Sequence, residues 1–512
     1  MQETSLSLGL FDPGMTELHR VGLAGLYMTL KSLDAKKYED IGSWELSSRR
    51  VNLYWKGKPS EFFNTLVGEA FGISSKGLIR FRAHRGHPMG DAEILHLHEA
   101  LRLTFLQHGK NRKEAKQAKG LQFDYQEKTI HRSVKPVSWY RNQDAAKLIL
   151  SKSGDKLVKS VELAGWCFPG GAVRHNEYSS STLLSSPLCL FVPAAFAPVA
   201  SLYFTISHRD KDGRPDKRLK AAIVLPHITD LEEYSKCYTR FLSSPLRRLH
   251  VDSLGDAGLM GLMLLNLKGN MLGELGIESC TVMTFGSIPW SKQQKTRTGM
   301  RRIVGVNVGQ MNLFAHALAS LDNNVVLNKD GGLWIQTSPI RGLIAENIAA
   351  GREWFQNFHE LMTSQTLARR VSWQRKGLNE MATQLQWDQE ADQRLVESVH
   401  QALRNRYGAM AKRAQEKGEA PQFGREFERI RTSLMRAKNA QTMRSELADL
   451  FARGGLNKSL QQCWLRLLPL FTGDDWQRAR DLALLALASY VGQGAETIEM
   501  TTNGDLTVEE EE

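Results

Sequence analysis

The spacing of hydrophobic positions changes along this chain near residue 339. Before that point, short runs such as Val51–Trp55 and Gly77–Ala83 predict strands between helices and long loops. Beyond it, apolar residues recur at helical spacing, as at Leu378, Met381 and Leu385, with almost no strand signal. The pattern predicts the α+β class: an irregular mixed N-terminal region followed by an all-α C-terminal helical bundle.

This change divides the chain into three predicted parts. They are a mixed α+β region, 1–339, a helical bundle, 340–493, and an acidic tail, 494–512. The Thr, Gly and Glu content of the tail predicts disorder. Within the first part, Thr16 is positioned to cap a helix on which Gly22 and Gly25 permit close packing against a neighbour.

The charge of the chain favours a polyanionic partner. Its 512 residues carry a formal net charge of +12, and 42% of them are hydrophobic, as in an ordinary globular protein. No stretch predicts a membrane helix, so nucleic acid is the favoured partner. The start, MQETSLSLGLFDPGM, has no positively charged leader, which predicts a cytoplasmic protein.

The cysteines and histidines give no sign of a cofactor or a metal. Five scattered cysteines without a CxxC motif predict neither a disulfide framework nor a zinc ribbon. His96 and His98, two residues apart, cannot lie on one face of a helix. No HExxH, GxxxxGK[ST] or GxSxG motif occurs, so we expect no enzyme, no cofactor and no metal.

The strongest candidate site is the basic stretch Pro289–Val308. We interpret it as a loop between two strands, Thr281–Phe285 and Ile303–Val308, with a solvated hairpin tip as the alternative. Lys and Arg would hold phosphates, Gln could read base edges, and Trp290 could act as a wedge. The predicted DNA-contacting residues are Trp290, Lys292, Gln293, Gln294, Lys295, Arg297, Arg301 and Arg302.

Further basic segments are secondary candidates for nucleic-acid binding. They share a high density of Lys and Arg, and Trp139 and Tyr140 lie nearby for stacking on bases. The secondary candidates are Arg80, Arg82, His84, Arg85, Lys110, Arg112, Lys113, Lys116, Lys119, Arg404, Arg413, Arg429 and Arg436. The alternatives are a solvated loop at 110–119 and ordinary surface ion pairs in the bundle.

Three stretches together resemble a known family. They are LFDPGMTELHRVGLAGLYMTLKSL near the start, FPGGAVRHNEY in the centre, and the mixed region followed by a helical bundle. In this order they resemble the large subunit of type I CRISPR Cascade complexes, in its myxan-type variety near type I-B. The resemblance covers essentially the whole chain.

This resemblance implies a non-catalytic DNA-recognition subunit. Such a subunit reads the protospacer-adjacent motif in duplex DNA, aids unwinding and stabilises the R-loop, for defence or for RNA-guided transposition. The alternatives are a metal-dependent nuclease, with a site around His84, His87, Asp91 and Glu93, another nucleic-acid-processing enzyme, and an RNA-binding chaperone.

The resemblance also implies partners. They are CRISPR RNA, target double-stranded DNA, the Cascade backbone and RNA-end-capping subunits, and nuclease-helicase or transposition proteins, with no membrane. The bundle resembles a small subunit that related systems also make from an internal start. Met362 or Met381 could serve as that start, a hypothesis that fails if a C-terminal tag detects only the full-length product on a blot.

Overall fold

The computed structural model describes residues 4–125, 127–162, 166–167, 185–206, 220–268, 271–272, 276–289, 294–327, 332–472 and 475–492. For 220, 268, 271–272, 285–289, 294–298 and 472 it describes the backbone alone. The chain forms two compact units. Among the described residues, the first unit comprises those up to 206, 220–311 and 323–337, and the second comprises 312–322 and 338–492.

The first unit mixes helices with short strands. Its helices are α1 Glu17–Lys31, α2 Pro59–Ala70, α3 Asp91–Leu103, α4 Ala145–Ile149, α5 Leu188–Ala200, α6 Leu231–Leu242 and α7 Leu254–Asn266. Its strands are β1 Ser5–Gly9, β2 Gly42–Leu46, β3 Arg50–Trp55, β4 Phe71–Ile73, β5 Ile79–Phe81, β6 Arg112–Glu114, β7 Lys119–Tyr125, β8 Lys128–Val134, β9 Val137–Tyr140, β10 Ser160–Glu162, β11 Ser185–Pro187, β12 Leu202–Ile206, β13 Lys220–Pro226, β14 His250–Val251, β15 Leu267–Lys268, β16 Met271–Leu272, β17 Cys280–Pro289, β18 Gln294–Ile303, β19 Asn324–Leu327 and β20 Leu333–Gln336. Short 3-10 turns include Arg82–His84 and Leu246–Leu249.

One five-stranded sheet organises this unit. Its strand order is β14-β12-β13-β17-β18, so β18 is an edge strand. Helix α7 packs on one face through two glycines: an added Cβ at Gly258 would lie 2.4 Å from Ile303 Cδ1, and one at Gly261 would lie 3.0 Å from Leu202 Cδ1. Helix α3 lies against the opposite face, where the imidazole of His96 contacts the Tyr203 carbonyl at 3.1 Å.

Helices α1 and α5 pack backbone to backbone. An added Cβ at Gly22 would lie 1.9 Å from the Pro193 carbonyl oxygen, and one at Gly25 would lie 2.4 Å from the Phe196 carbonyl oxygen. The close approach predicted for both glycines is therefore confirmed. Pro193 and Pro198 lie inside α5, which continues through both although each proline removes a backbone donor.

The buried carbonyls at the end of α5 are satisfied by side chains from other elements. Tyr203 donates its hydroxyl to the Pro198 carbonyl at 2.7 Å, and Tyr234 of α6 donates to the Ala200 carbonyl at 2.6 Å. His84 Nε2 lies 2.8 Å from the Val199 carbonyl oxygen. A helix end without water needs such donors, so they fix the 82–84 turn, β12 and α6 around α5.

The second unit is a helical bundle. Its helices are α8 Val308–Ser320, whose residues from 312 onward belong here, α9 Pro339–Ala349, α10 Gln365–Trp373, α11 Arg375–Gln384, α12 Glu390–Lys417, α13 Phe423–Arg436, α14 Ala440–Gly454, α15 Lys458–Thr472 and α16 Trp476–Ser489. Helix α16 contacts α10 to α15. It is apolar on all sides from Leu482 to Ala488, which suits a central helix.

A buried carboxylate links the last helix of this bundle to an earlier segment. Asp481 of α16 is 3% exposed and accepts hydrogen bonds from the Asn357 and His359 backbone amides at 2.7 and 3.1 Å. The His359 imidazole lies 2.8 Å from the same carboxylate. Asn357 adopts a left-handed conformation (φ 63°), which aims both amides at one side chain. The segment before α10 is thereby joined to the last helix.

The predicted fold class is confirmed, with a mixed N-terminal region and a helical C-terminal region. The assignment around the basic stretch is wrong in part: the predicted loop is strand β18, and the strand predicted at Ile303–Val308 ends at Ile303. Antiparallel pairing with β17 forms a strand there without an apolar face. The functional division of the chain stays a prediction, and the tail, 494–512, lies outside the described residues.

We predict that Gly22→Ala destabilises the protein, because the new methyl group would overlap the Pro193 carbonyl. The expected loss is about 1–3 kcal/mol of unfolding free energy, measured by urea denaturation. Gly68→Ala in α2 is the matched control, since an added Cβ there meets nothing within 4 Å. The control should gain about 0.5–1 kcal/mol from helix propensity. Equal behaviour of both variants would contradict the close packing of α1 on α5.

Candidate nucleic-acid interface

The β17–β18 hairpin extends beyond the strand that neighbours it. Among the described residues, strand β13 pairs with β17 as far as Phe285, whereas β17 and β18 remain paired to Pro289 and Gln294. Within the described residues, the last four pairs, from Gly286 to Pro289, thus form a two-stranded ribbon about 13 Å long.

Three of the predicted contact residues lie on this ribbon. Gln294, Lys295 and Arg297 pair with Pro289, Ile288 and Gly286, respectively. Trp290, Lys292 and Gln293 lie outside the described residues.

The base of the hairpin holds the two remaining arginines. Ile303 is buried against α7, and Arg301, two residues before it, is partly exposed. Arg302 lies on the opposite face and its side chain is 69% exposed. It approaches Glu17 of α1 at 3.5 Å, a half-exposed ion pair of small energetic value. Arg302 therefore remains able to contact a phosphate.

A second cationic surface surrounds β5. Ile79 and Phe81 are buried whereas Arg80 between them is exposed, as the alternation predicts. Arg85 is exposed as well. Arg82 is partly engaged, since it donates to the Ser32 carbonyl and approaches Glu69 at 3.5 Å. Arg80 and Arg85 are the residues of this surface that solvent reaches most freely.

His84 does not belong to that cationic surface. The expectation that it extends the polar face is wrong, because the side chain is 8% exposed and faces the end of α5. Burial lowers the pKa of His84 to about 4, so the imidazole is neutral near pH 7. Its role is structural: it contributes to the donors that hold α5.

The 110–119 segment is more ordered than a solvated loop. It includes β6, which pairs with β9, and it ends where β7 begins. The lysines of this segment are exposed: Lys110, Lys113, Lys116 and Lys119.

Arg112 and Arg102 both donate to the Glu114 carboxylate. Burial would raise the pKa of Glu114, but hydrogen bonds from Arg112 and Arg102 outweigh it and hold that pKa below its ordinary value. Arg112 is therefore occupied within the protein.

Of the two aromatic residues near this segment, Tyr140 is too deeply buried for the stacking role that the sequence predicted, whereas Trp139 is half-buried and its stacking role stays a prediction. Tyr140 is 1% exposed, and its hydroxyl lies 3.4 Å from the Gly72 carbonyl. Trp139 donates its indole N–H to Asp144 at 3.1 Å and lies under Lys113, 5.7 Å from the ring centre. Tyr140 packs inward where β9 pairs with β6.

In the helical bundle, the four candidate arginines differ in their surroundings. Arg404, Arg413 and Arg436 are exposed. Arg429 donates to Glu426 at 2.9 Å and approaches Asp449 at 3.5 Å. Arg429 is thus part of an ion-pair network, and the first three are the better candidates for a phosphate contact.

The histidines and acids of the nuclease alternative are not assembled into a site. His84 faces a carbonyl, and Asp91 pairs with Lys76 at 2.8 Å. His96 and His98 are buried and contact different backbone carbonyls, those of Tyr203 and Lys135, respectively. In the part of the chain that the structure describes, no group of three or more His, Cys, Asp or Glu residues could hold a metal ion.

The structure also brings together arginines that the sequence reasoning missed. Arg240 and Arg248 line an open cavity of about 500 Å³ together with His87. The pair Arg247 and Arg248 in the stretch PLRRLH was a signal that could have drawn attention to it.

Comparisons with known proteins agree with this layout. Residues 7–194 match the DevT N-terminal domain, and residues 383–512 match the DevT C-terminal domain. The chain is 29% identical over 539 aligned residues to CRISPR-associated protein Cas8a1/Csx13 of Myxococcus xanthus (strain DK1622), over 97% of this chain and 90% of that protein.

Matches at both ends and along the full length define the class as the large subunits of type I CRISPR effector complexes. The chain carries the DevT N-terminal and C-terminal domains, which fit the myxan-type Cas8 large subunits. The family resemblance of the sequence is thereby confirmed. Across the described residues, none of the helices combines the length and apolarity needed to cross a membrane.

The buried histidines predict a marked pH dependence of stability. Burial lowers the pKa of His84, His96 and His98 to about 4 and that of His250 to about 3. Unfolded imidazoles titrate near pH 6.5, so the unfolded state binds protons first as the pH falls. The stability present above about pH 6.5 is therefore lost progressively towards pH 4.

We expect the urea midpoint at pH 5 to lie well below that at pH 7, with each buried imidazole contributing up to roughly 2 kcal/mol. His96→Gln should flatten this dependence because it removes one titration. His131→Gln, at an exposed position of β8, should leave the dependence unchanged. Equal midpoints at the two pH values would contradict the inference that these histidines are buried in the neutral form.

Proposed function

We propose that this chain is the non-catalytic subunit that recognises the protospacer-adjacent motif in duplex DNA, aids its unwinding and stabilises the R-loop. The observation that carries this proposal is the basic β17–β18 ribbon, which continues past Phe285, the last residue of β17 whose pairing with β13 is described. The same activity would serve defence or RNA-guided transposition.

The dimensions and chemistry of the ribbon support a groove contact. The major groove of B-DNA, about 12 Å wide, admits a two-stranded β-ribbon. Strand β18 carries Gln294, Lys295 and Arg297 and has no acidic residue. Gln and Arg can form paired hydrogen bonds with base edges, and Lys adds a salt-dependent phosphate contact. In the part of the chain that the structure describes, β18 is the edge strand and no further strand pairs with its outer side.

Residues around the ribbon would grip the flanking phosphates. Arg301 and Arg302 lie at its base, and among the described residues Arg302 forms one ion pair, at 3.5 Å to Glu17. Arg80 and Arg85 and the exposed lysines of 110–119 are additional phosphate contacts in this proposal. Such contacts position a protein on DNA without reading its sequence, whereas the motif is read in the groove.

We predict that the variant Q293A/Q294A/K295A/R297A loses motif-dependent DNA binding. Removing two cations should lower the slope of log K against log salt by nearly 2, and removing the glutamines should abolish preference for the motif. The measurement is electrophoretic mobility shift or fluorescence anisotropy with duplexes that carry or lack the motif, at several salt concentrations.

The matched control is R394A/R453A in the helical bundle. Both arginines already pair with acids of their own helix, Arg394 with Glu397 and Arg453 with Asp449. This control should bind as the unaltered protein does. If the ribbon variant also kept its motif preference and salt slope, motif recognition by the ribbon would be wrong.

The proposed partners are CRISPR RNA, the Cascade backbone and RNA-end-capping subunits, and a nuclease-helicase or transposition proteins that act on the bound DNA. Exposed Arg404, Arg413 and Arg436 suit a second contact with nucleic acid along the bundle. Strand cleavage or insertion is assigned to the partners.

Tagged protein expressed with its neighbouring genes should co-purify with CRISPR RNA and a repeating backbone subunit. A strain from which the CRISPR repeats have been deleted is the control, because the complex assembles on the RNA. Recovery of the protein alone from both strains would contradict membership of an assembled effector complex.

A further inference from the structure

We infer that the cavity between the ends of α6 and α7 is a binding groove for the phosphodiester backbone of single-stranded nucleic acid. This inference rests on the proposed nucleic-acid-binding function and adds a second site to it. The cavity has a volume of about 500 Å³, enough to receive a nucleotide with its phosphate. Among the lining residues that the structure describes, none is acidic.

The walls of the groove supply cationic donors. Arg240 of α6 donates to the Leu265 carbonyl at 3.0 Å, which anchors its guanidinium at the cavity. Arg248 lies in the 246–249 turn, lines the same cavity and is half-buried. Its Nε is shielded from water and has no hydrogen-bond partner among the described residues, so a ligand would reach the terminal nitrogens of the guanidinium rather than Nε. A phosphate oxygen bound by those nitrogens would bring a negative charge beside the shielded donor and offset part of its cost.

Part of the cavity lining is apolar. Leu264, Leu267 and Pro245 belong to it, together with the two arginines. Free inorganic phosphate would gain nothing from these apolar side chains, whereas the sugar or base of a nucleotide would bury its apolar surface against them. A lining that combines cationic and apolar side chains is typical of sites that bind a single strand without reading its sequence.

His87 connects this groove to the cationic surface around β5. It lines the groove and also a second cavity of about 180 Å³ that contains Arg80 and Arg85. His84 holds the connecting loop in place, since its ring lies 5.7 Å from Tyr238 of α6 and its Nε2 contacts the end of α5. His87 therefore joins the linings of the two cavities, which places Arg248 and the pair Arg80 and Arg85 on adjoining surfaces.

The test is Arg248→Ala in the full-length protein, because Arg240 also has a structural role at the end of α7. We measure binding of fluorescein-labelled oligothymidylate by anisotropy across a range of salt concentrations. The expected result is about tenfold weaker binding, with a salt slope lower by about 0.7, the value for one phosphate contact on a single strand. The variant R85A/R248A should weaken binding further.

Two controls separate charge from geometry. Arg248→Lys keeps the charge and should retain the salt slope while losing part of the affinity, since lysine lacks the planar fork. The second control is Lys236→Ala, on the exposed side of α6, where Lys236 pairs with Glu232 at 3.0 Å. This variant should leave both the affinity and the salt slope unchanged. Thermal unfolding of each variant checks that it is folded.

The inference is overturned if folded Arg248→Ala binds oligothymidylate with unchanged affinity and salt slope. It is also overturned if Arg248→Ala loses the motif preference on duplex DNA but keeps oligothymidylate binding. Failure of the proposed function is a separate result, because it would appear as an unaltered motif preference in the ribbon variant whatever the oligothymidylate binding.

Discussion

The hydrogen bonding of the buried end of α5 is the constraint on which the first unit depends. The last carbonyls of this helix have no partner within the helix and are shut off from water. Each carbonyl left without a partner would cost about 1–3 kcal/mol. Donors from Tyr203, His84 and Tyr234 meet this need, and they come from three separate elements. The close contact of α1 with α5 at Gly22 holds the helix from its other side.

Because His84 is buried against α5, the exposed cations of the neighbouring surface are the arginines Arg80 and Arg85. Burial lowers the pKa of His84 to about 4, so its imidazole contacts the Val199 carbonyl as the neutral form near pH 7. The positive charge near it then comes from the exposed side chains of Arg80 and Arg85. A surface whose cations are arginines keeps its charge across the physiological pH range. Its framework, in contrast, is sensitive to acid.

The sequence was informative where one local pattern controls the structure. Gly22 and Gly25 on a periodic helix indicated a close helix contact, and the alternation at Arg80 indicated which side chains face solvent. The switch to helical spacing separated mixed from helical structure.

It was uninformative where partners distant in the chain decide the outcome. The strand at 294–303 forms because β17 pairs with it, and Tyr140 turns inward because β9 is covered. His84 looks like part of a basic cluster until Val199, remote in sequence, is brought beside it. The groove at Arg240 and Arg248 is assembled from separate elements and has no compact motif.

The carboxylate of Asp481 sets a limit on how the bundle could be made as a separate chain. The Asn357 and His359 amides that donate to it precede α10, so the buried Asp481 carboxyl group has these donors only if the segment before Met362 is present. A product begun at Met362 or Met381 would bury this carboxyl group without them and would need new donors from a neighbouring subunit. Such a fragment would therefore be an obligate member of an assembly, stable when docked and short-lived when alone.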